Sequence, residues 1–251
     1  MTRRVPIVTT VAIGTAVVLG GLGRAIARSD NTAGRTIARP YRAARHVLFR
    51  LVVERNGFET SGEVELARFG LAAPERVRYV PSHLFVLRRA LRKGEVGPGD
   101  VFVDFGSGKG RIVYQAARRY PFARVVGVEL VPELTEIARQ NIELRRQTLR
   151  CRNVELVTAD AVTWAIPDDM TVAYFYSPFL GGIFSTVVDN ILASIDRAPR
   201  RVRIVYATPF YEHVVEGTGR FRLVRRSKGV RRDVFHEVAV YESIPSGGKG
   251  S

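Results

Sequence analysis

From residue 101 onward the chain alternates short apolar runs with amphipathic ones, and this alternation constrains its fold more than any other feature. VFVDF, ARVVGVEL, NVELVTAD, TVAYFYSPF and RVRIVYAT read as strands with apolar residues on both faces. RIVYQAARRY, PELTEIARQNIELRRQ and GGIFSTVVDNILASI carry helical spacing, the second with Pro132 in its first turn. Strands buried on both faces and linked by helices pair in parallel, with helices covering both sides of the sheet. The end breaks the alternation. RFRLVRRSKGVRRDVFHEVAVYES is two β runs about a Ser227-Lys228-Gly229 turn, so a hairpin closes the sheet. The expected architecture is α/β, a doubly wound, seven-stranded, mostly parallel sheet of Rossmann-like type with a C-terminal antiparallel hairpin. A helix over SHLFVLRRALRK, N-capped by Ser82, precedes it.

The stretch VFVDFGSGKGR, residues 101–111, sets Gly106, Gly108 and Gly110 directly behind the first strand. It is not a P-loop, because Lys109 is followed by Gly110 and Val103 stands where the first glycine is needed. Nor is it the G-x-G-x-x-G dinucleotide turn. Asp104, two residues before Gly106, would repel a pyrophosphate and suits a cationic or ammonium-bearing ligand. Glu129 closes the second strand, placed to grip ribose hydroxyls, and Asp160 closes the third, where an adenine amino group is read. Acids ending three successive strands converge on the crevice where doubly wound sheets bind ligands.

Over about residues 78–242 these features resemble the class I S-adenosylmethionine-dependent methyltransferases. The resemblance implies S-adenosylmethionine as cofactor. It places Asp104, Gly106, Ser107, Gly108 and Gly110 about the methionine part, Glu129 on the ribose, and Asp160 with Ala161 beside the adenine. The wording DVFVDFGSGKGRIV looks like the loop of the non-SET protein-lysine methyltransferases, which include histone-modifying enzymes and membrane-anchored ones acting on the ATP-synthase c subunit. Tyr79-Val80-Pro81 resembles the segment ahead of the fold in the latter group. Lys109 departs from it, at a position that is often acidic there. The fourth strand ends Tyr176-Ser177-Pro178-Phe179, not the N-P-P-[YF] of amino-directed nucleic-acid enzymes. Either Ser177 accepts a hydrogen bond from a substrate amine and Phe179 walls the methyl-transfer channel, or Ser-Pro-Phe caps a strand and packs a loop. The implied acceptor is a protein lysine. A nucleic-acid or small-molecule acceptor and a non-catalytic, membrane-tethered binding module stand as alternatives. Arg220, Arg222, Arg225, Arg226, Lys228, Arg231 and Arg232 keep the nucleic-acid reading open through phosphate contacts.

The net charge of +15 suits anionic partners, including lipid headgroups. The single cysteine, Cys151, excludes an internal disulfide framework, and His46, His83, His213 and His236 lack metal-ligand spacing, so no metal site is expected. Residues 7–22 are an uncharged run of ~24 Å as a helix, against a ~30 Å hydrocarbon core. A cleaved signal peptide, a signal anchor and a buried leader are the readings it allows. The arginines that follow it, Arg24, Arg28, Arg35, Arg39, Arg42 and Arg45, favour an anchor with the body of the protein on the cytoplasmic face. The chain then divides into an anchor or leader (1–28), a basic linker and amphipathic helix (29–77), a methyltransferase domain (78–243) and a polar tail (244–251).

Overall fold

The computed structural model describes residues 58–61, 64, 82, 86–92, 94–176, 179, 181–227 and 237–245. Two compact units divide the chain, Met1–Phe58 and Glu59–Ser251, and the sheet lies in the second. The apolar run 7–22, the basic segment after it, Tyr79-Val80-Pro81, Ser177 and the turn residues Lys228 and Gly229 fall outside the described residues. Among the described residues no helix is long and apolar enough to cross a membrane.

The elements follow the alternation read from the sequence. Helix α1 (Val86–Ala90) precedes β1 (Val101–Phe105), α2 (Arg111–Arg119), β2 (Arg124–Glu129), α3 (Pro132–Leu144) and a 3-10 turn at Arg146–Thr148. Then come β3 (Val154–Thr158), β4 (Met170–Tyr176), α4 (Gly181–Arg197), β5 (Arg203–Ala207), α5 (Glu212–Gly217), β6 (Phe221–Ser227) and β7 (Val238–Ser243). They form one seven-stranded sheet in the order β3-β2-β1-β4-β5-β7-β6. All pairs from β3 through β5 are parallel, and β7 runs antiparallel to both β5 and β6. The expected hairpin therefore closes the sheet by inserting its second strand beside β5. Helix α5 lacks a sequence signal, since its six residues are too few to show a helical period.

The pleat assigns two faces. Val103 and Phe105, with Val126, Val128, Ala173 and Phe175, join the large apolar cluster under α4. Phe105 stacks on Phe175 at 4.9 Å between ring centroids, and Phe184 of α4 meets Phe175 edge-on at 5.3 Å. Such pairs add roughly 0.5–1.5 kcal/mol each beyond the area they bury. The opposite face carries Phe102 and Asp104 on β1, with Gly127 and Tyr174 beside Asp104 in register. Helix α2 covers this face, and a Cβ on Gly127 would fall 2.8 Å from Val113 Cγ2 and 2.9 Å from Ser107 Oγ. The absence of a side chain there lets α2 and the glycine turn lie down on the sheet.

The order of strands reverses between β1 and β4, which opens a crevice at their carboxyl ends. The glycine turn leaves β1 at this point, and β4 ends there at Tyr176.

Candidate functional site

The turn is built on glycines in left-handed backbone conformation: φ is 78° at Gly106, 51° at Gly108 and 76° at Gly110. Gly110 is doubly constrained, because a Cβ would also lie 2.9 Å from Ala138 Cβ of α3. The turn's amides are spent internally. Gly106 and Ser107 donate to the Val128 carbonyl at 2.9 and 3.0 Å, Gly108 to Glu129 Oε2 at 2.7 Å, and Gly110 to the Ser107 carbonyl at 2.9 Å. A phosphate cradle needs outward-pointing N–H groups. These four point inward, which agrees with the sequence argument against a nucleotide phosphate.

Two carboxylates face the turn instead. Asp104 is 3% exposed and Glu129 7% exposed, both on the α2 side of the sheet. Glu129 also accepts the Val131 N–H at 3.0 Å through its other oxygen, so both carboxylate oxygens are held by backbone donors. Burial raises the Glu129 carboxyl above its ordinary range, opposed by the N–H groups of Val131, Gly108 and Leu130. Asp104 has no such donors among the hydrogen bonds of the described residues. Burial, then the neighbouring Glu129, push its carboxyl well above the usual aspartate range. A buried carboxyl without a donor, beside Ser107 Oγ that is buried without a partner, fits a ligand that brings a positive charge and donors of its own. S-adenosylmethionine, with its sulfonium, ammonium and ribose hydroxyls, meets that description.

The Ala159 N–H donates to the Glu129 carbonyl at 2.9 Å, seating the end of β3 beside it. Asp160 Oδ1 accepts the Val162 N–H at 3.0 Å, and its carbonyl accepts the Trp164 N–H at 2.9 Å, so it opens the turn that follows. Ala161 is buried in the apolar cluster, and Phe179 packs against the same cluster, half-buried. Ser82, expected as a helix cap, is buried, with its hydroxyl 3.3 Å from the Tyr174 hydroxyl.

Sequence reasoning missed three features. Tyr176, at the end of β4, hydrogen-bonds Thr208, which stands just beyond β5. Thr208 is buried with φ 57°, a conformation that costs a β-branched residue roughly 1–3 kcal/mol. The Phe210 N–H donates to the Thr208 carbonyl at 2.8 Å, and the Phe210 side chain is 45% exposed. Nothing in the sequence marks a threonine for that backbone. Asn141 did leave a signal: it falls on the buried stripe of α3 with Leu134, Ala138 and Ile142, a polar group on an apolar face.

Four of the C-terminal arginines that kept the nucleic-acid alternative open are ion-paired within the fold. Arg220 pairs with Asp196 at 2.8 Å, Arg222 with Glu242 at 3.0 Å, Arg225 with Glu95, and Arg226 with Glu212 and Glu237 at 2.6 and 2.5 Å. Sequence counts charges but not their partners, and these acids lie on other elements. Lys228, Arg231 and Arg232 are outside the described residues. Cys151 is buried and its thiol is pushed up by burial, the opposite of an activated nucleophile.

Residues 79–161 match the model of the family described as "Histone methylation protein DOT1". A protein-lysine N-methyltransferase of Saccharolobus islandicus (strain REY15A) is 38% identical over 79 residues, 32% of this chain and 49% of that protein. The chain thus spans about half the length of this curated relative. Among solved structures, an RNA methyltransferase from Salinibacter ruber in complex with S-adenosyl-L-homocysteine is 25% identical, with a TM-score of 0.45 over 68% of this chain and 98% of that one. A ribosomal protein L11 methylase from Lactobacillus delbrueckii subsp. bulgaricus is 12% identical, with a TM-score of 0.45 over 63% of this chain and 76% of that one. The resemblance to S-adenosylmethionine-dependent methyltransferases holds over the cofactor half of the domain, and the cofactor it implies is S-adenosylmethionine.

Proposed function

We propose that this protein transfers the methyl group of S-adenosylmethionine to a lysine amine of a protein. One observation carries the reading: the buried Asp104–Glu129 pair lies behind a glycine turn whose own amides are satisfied, at the carboxyl ends of β1 and β2. When bound, S-adenosylmethionine supplies a methyl carbon on a positively charged sulfur, which a neutral amine takes as the carbon–sulfur bond breaks. The chain's part is placement. Asp104 and Glu129 hold the cationic and hydroxyl-bearing ends of the cofactor. Ser177 and Phe179, in the segment that follows β4, receive the acceptor in this reading. Aligning nucleophile, methyl and sulfur at ~3–3.5 Å supplies most of the acceleration for such a transfer. The amine must first lose its proton, to water or to an acceptor on the substrate side.

The choice of a protein lysine is supported by the lysine-methyltransferase relative and by the internal pairing of the hairpin arginines, which weakens a phosphate-binding alternative. The arginine-rich flank of the apolar run 7–22 supports action at the cytoplasmic face of a membrane. The full chain, labelled S-adenosylmethionine and a lysate split into membrane and soluble fractions test all three points. Label that survives nuclease, is lost with protease and enriches in the membrane fraction is the expected result. Label lost with nuclease and kept after protease overturns the lysine assignment.

A further inference from the structure

Lys109 lies between the left-handed Gly108 and Gly110 and is 5% exposed. A buried ammonium is costly unless it is paired and hydrogen-bonded, and this one is. Its Nζ forms an ion pair with the Glu59 carboxylate and donates to the Ser61 carbonyl at 3.0 Å. Its backbone carbonyl accepts from Asn141 Nδ2 at 2.9 Å. The same Asn141 amide group donates to the Glu59 carbonyl at 2.7 Å, while Asn141 Oδ1 accepts the Glu59 N–H at 2.8 Å. Lys109, Glu59 and Asn141 thereby close a ring, with Asn141 only 1% exposed. Arg111 fastens the adjoining residues: Nε donates to Thr60 Oγ1 at 2.9 Å, and Nη1 to the Ser82 carbonyl at 3.0 Å.

Two glycines flanking one residue make the most permissive backbone a chain can have. A turn of that composition samples several shapes unless something outside it selects one. Here residue 109 is gripped at its carbonyl and at the tip of its side chain, while the preceding peptide is tied to Glu129 through Gly108. We propose that Lys109 is a positioning residue for the cofactor turn. Its clasp by Glu59, Ser61 and Asn141 pre-sets the turn, so that Asp104 and Glu129 meet S-adenosylmethionine without an ordering cost. The proposal rests on reading the turn as the S-adenosylmethionine site.

The test uses the full chain as wild type, Lys109→Met, Lys109→Arg and Glu59→Gln. S-adenosylmethionine affinity is read by calorimetry, turn amide exchange by NMR, and melting without ligand. The loss of a hydrogen bond to a charged group predicts about tenfold weaker binding in Lys109→Met. Faster exchange at the amides of Gly108 and Gly110 accompanies it, and KM for S-adenosylmethionine rises more than kcat falls. Glu59→Gln weakens binding less, and Lys109→Arg, which keeps the ion pair, restores most of it. Wild-type affinity and exchange in Lys109→Met, whatever its melting temperature, overturn the positioning role. If that variant does not fold, unchanged affinity in Glu59→Gln, altered at a side chain 61% exposed, does the same. A wild type that binds no S-adenosylmethionine removes the cofactor reading and this proposal together. Equal binding by wild type and variants removes only the clasp.

Discussion

Glu129 Oε2 accepts the Gly108 N–H at 2.7 Å, so the acid that ends β2 is bonded to the middle of the turn that follows β1. In the proposed cofactor site the same side chain would both meet the ligand and support the turn. Glu129→Ala removes both, and S-adenosylmethionine binding should weaken by about 1.5–3 kcal/mol, the scale of a hydrogen bond to a charged group. Glu129→Gln keeps one acceptor oxygen for its backbone donors and should lose less. Calorimetry on the two variants orders them; equal losses would contradict the dual role.

Asp104 titrates in the opposite sense to a salt-bridged carboxylate. Its folded-state carboxyl is raised well above 3.8 by burial and by Glu129, so the folded protein binds the extra proton. Stability from this group is full below the unfolded value and declines as pH rises from about 3.8 through the raised value. Asp104→Asn should therefore melt higher than wild type at neutral pH without ligand. A cationic ligand favours the ionised form, so wild-type affinity for S-adenosylmethionine should increase with pH over this window. In Asp104→Asn it should be weaker and flat. Thermal melts and binding isotherms across pH check both halves.

Glu95 is the counter-case. The hydrogen bond from Arg225, ahead of the cost of burial, holds its carboxyl at about 2, against an ordinary 4.5. The stability it contributes is present above 4.5 and lost as pH falls toward 2. Arg225 also donates to the Ala90 carbonyl at 2.7 Å, tying β6 to the end of α1. Arg225→Glu places two acids together and should lower stability by roughly 1–3 kcal/mol. Its melting curve should lose most of the wild-type drop between pH 4.5 and 2. A purely substrate-facing role for Arg225 would instead leave melting unchanged.

Gly110→Ala adds a Cβ 2.9 Å from Ala138 Cβ, at a φ of 76°. Backbone strain alone costs roughly 1–3 kcal/mol, and the contact adds to it because Gly110 caps α2 while Ala138 lies midway along α3, where its backbone has no room to give. A lowered melting temperature with weakened S-adenosylmethionine binding is expected. Unchanged melting would mean that α2 and α3 part more easily than their packing implies.

The order of elements and the position of the cofactor turn were legible in the sequence because both are local. A strand buried on two faces is apolar along most of its length, as VFVDF and RVVGVE are apart from Arg124 and the acids Asp104 and Glu129, and a turn at positive φ favours glycine, as GSGKG shows. Asp104 and Glu129 could be assigned together because parallel strands with intervening helices put their carboxyl ends on one edge. What only the tertiary structure decided were the partners of charged and strained groups. Glu95 and Arg225 are 130 positions apart, and Lys109 and Glu59 are 50 apart. No periodicity links such pairs, so the acids that Arg220, Arg222, Arg225 and Arg226 pair with could not be read from the sequence. The left-handed Thr208 belongs to the same class: its conformation is unfavourable locally, and only the surrounding contacts hold it.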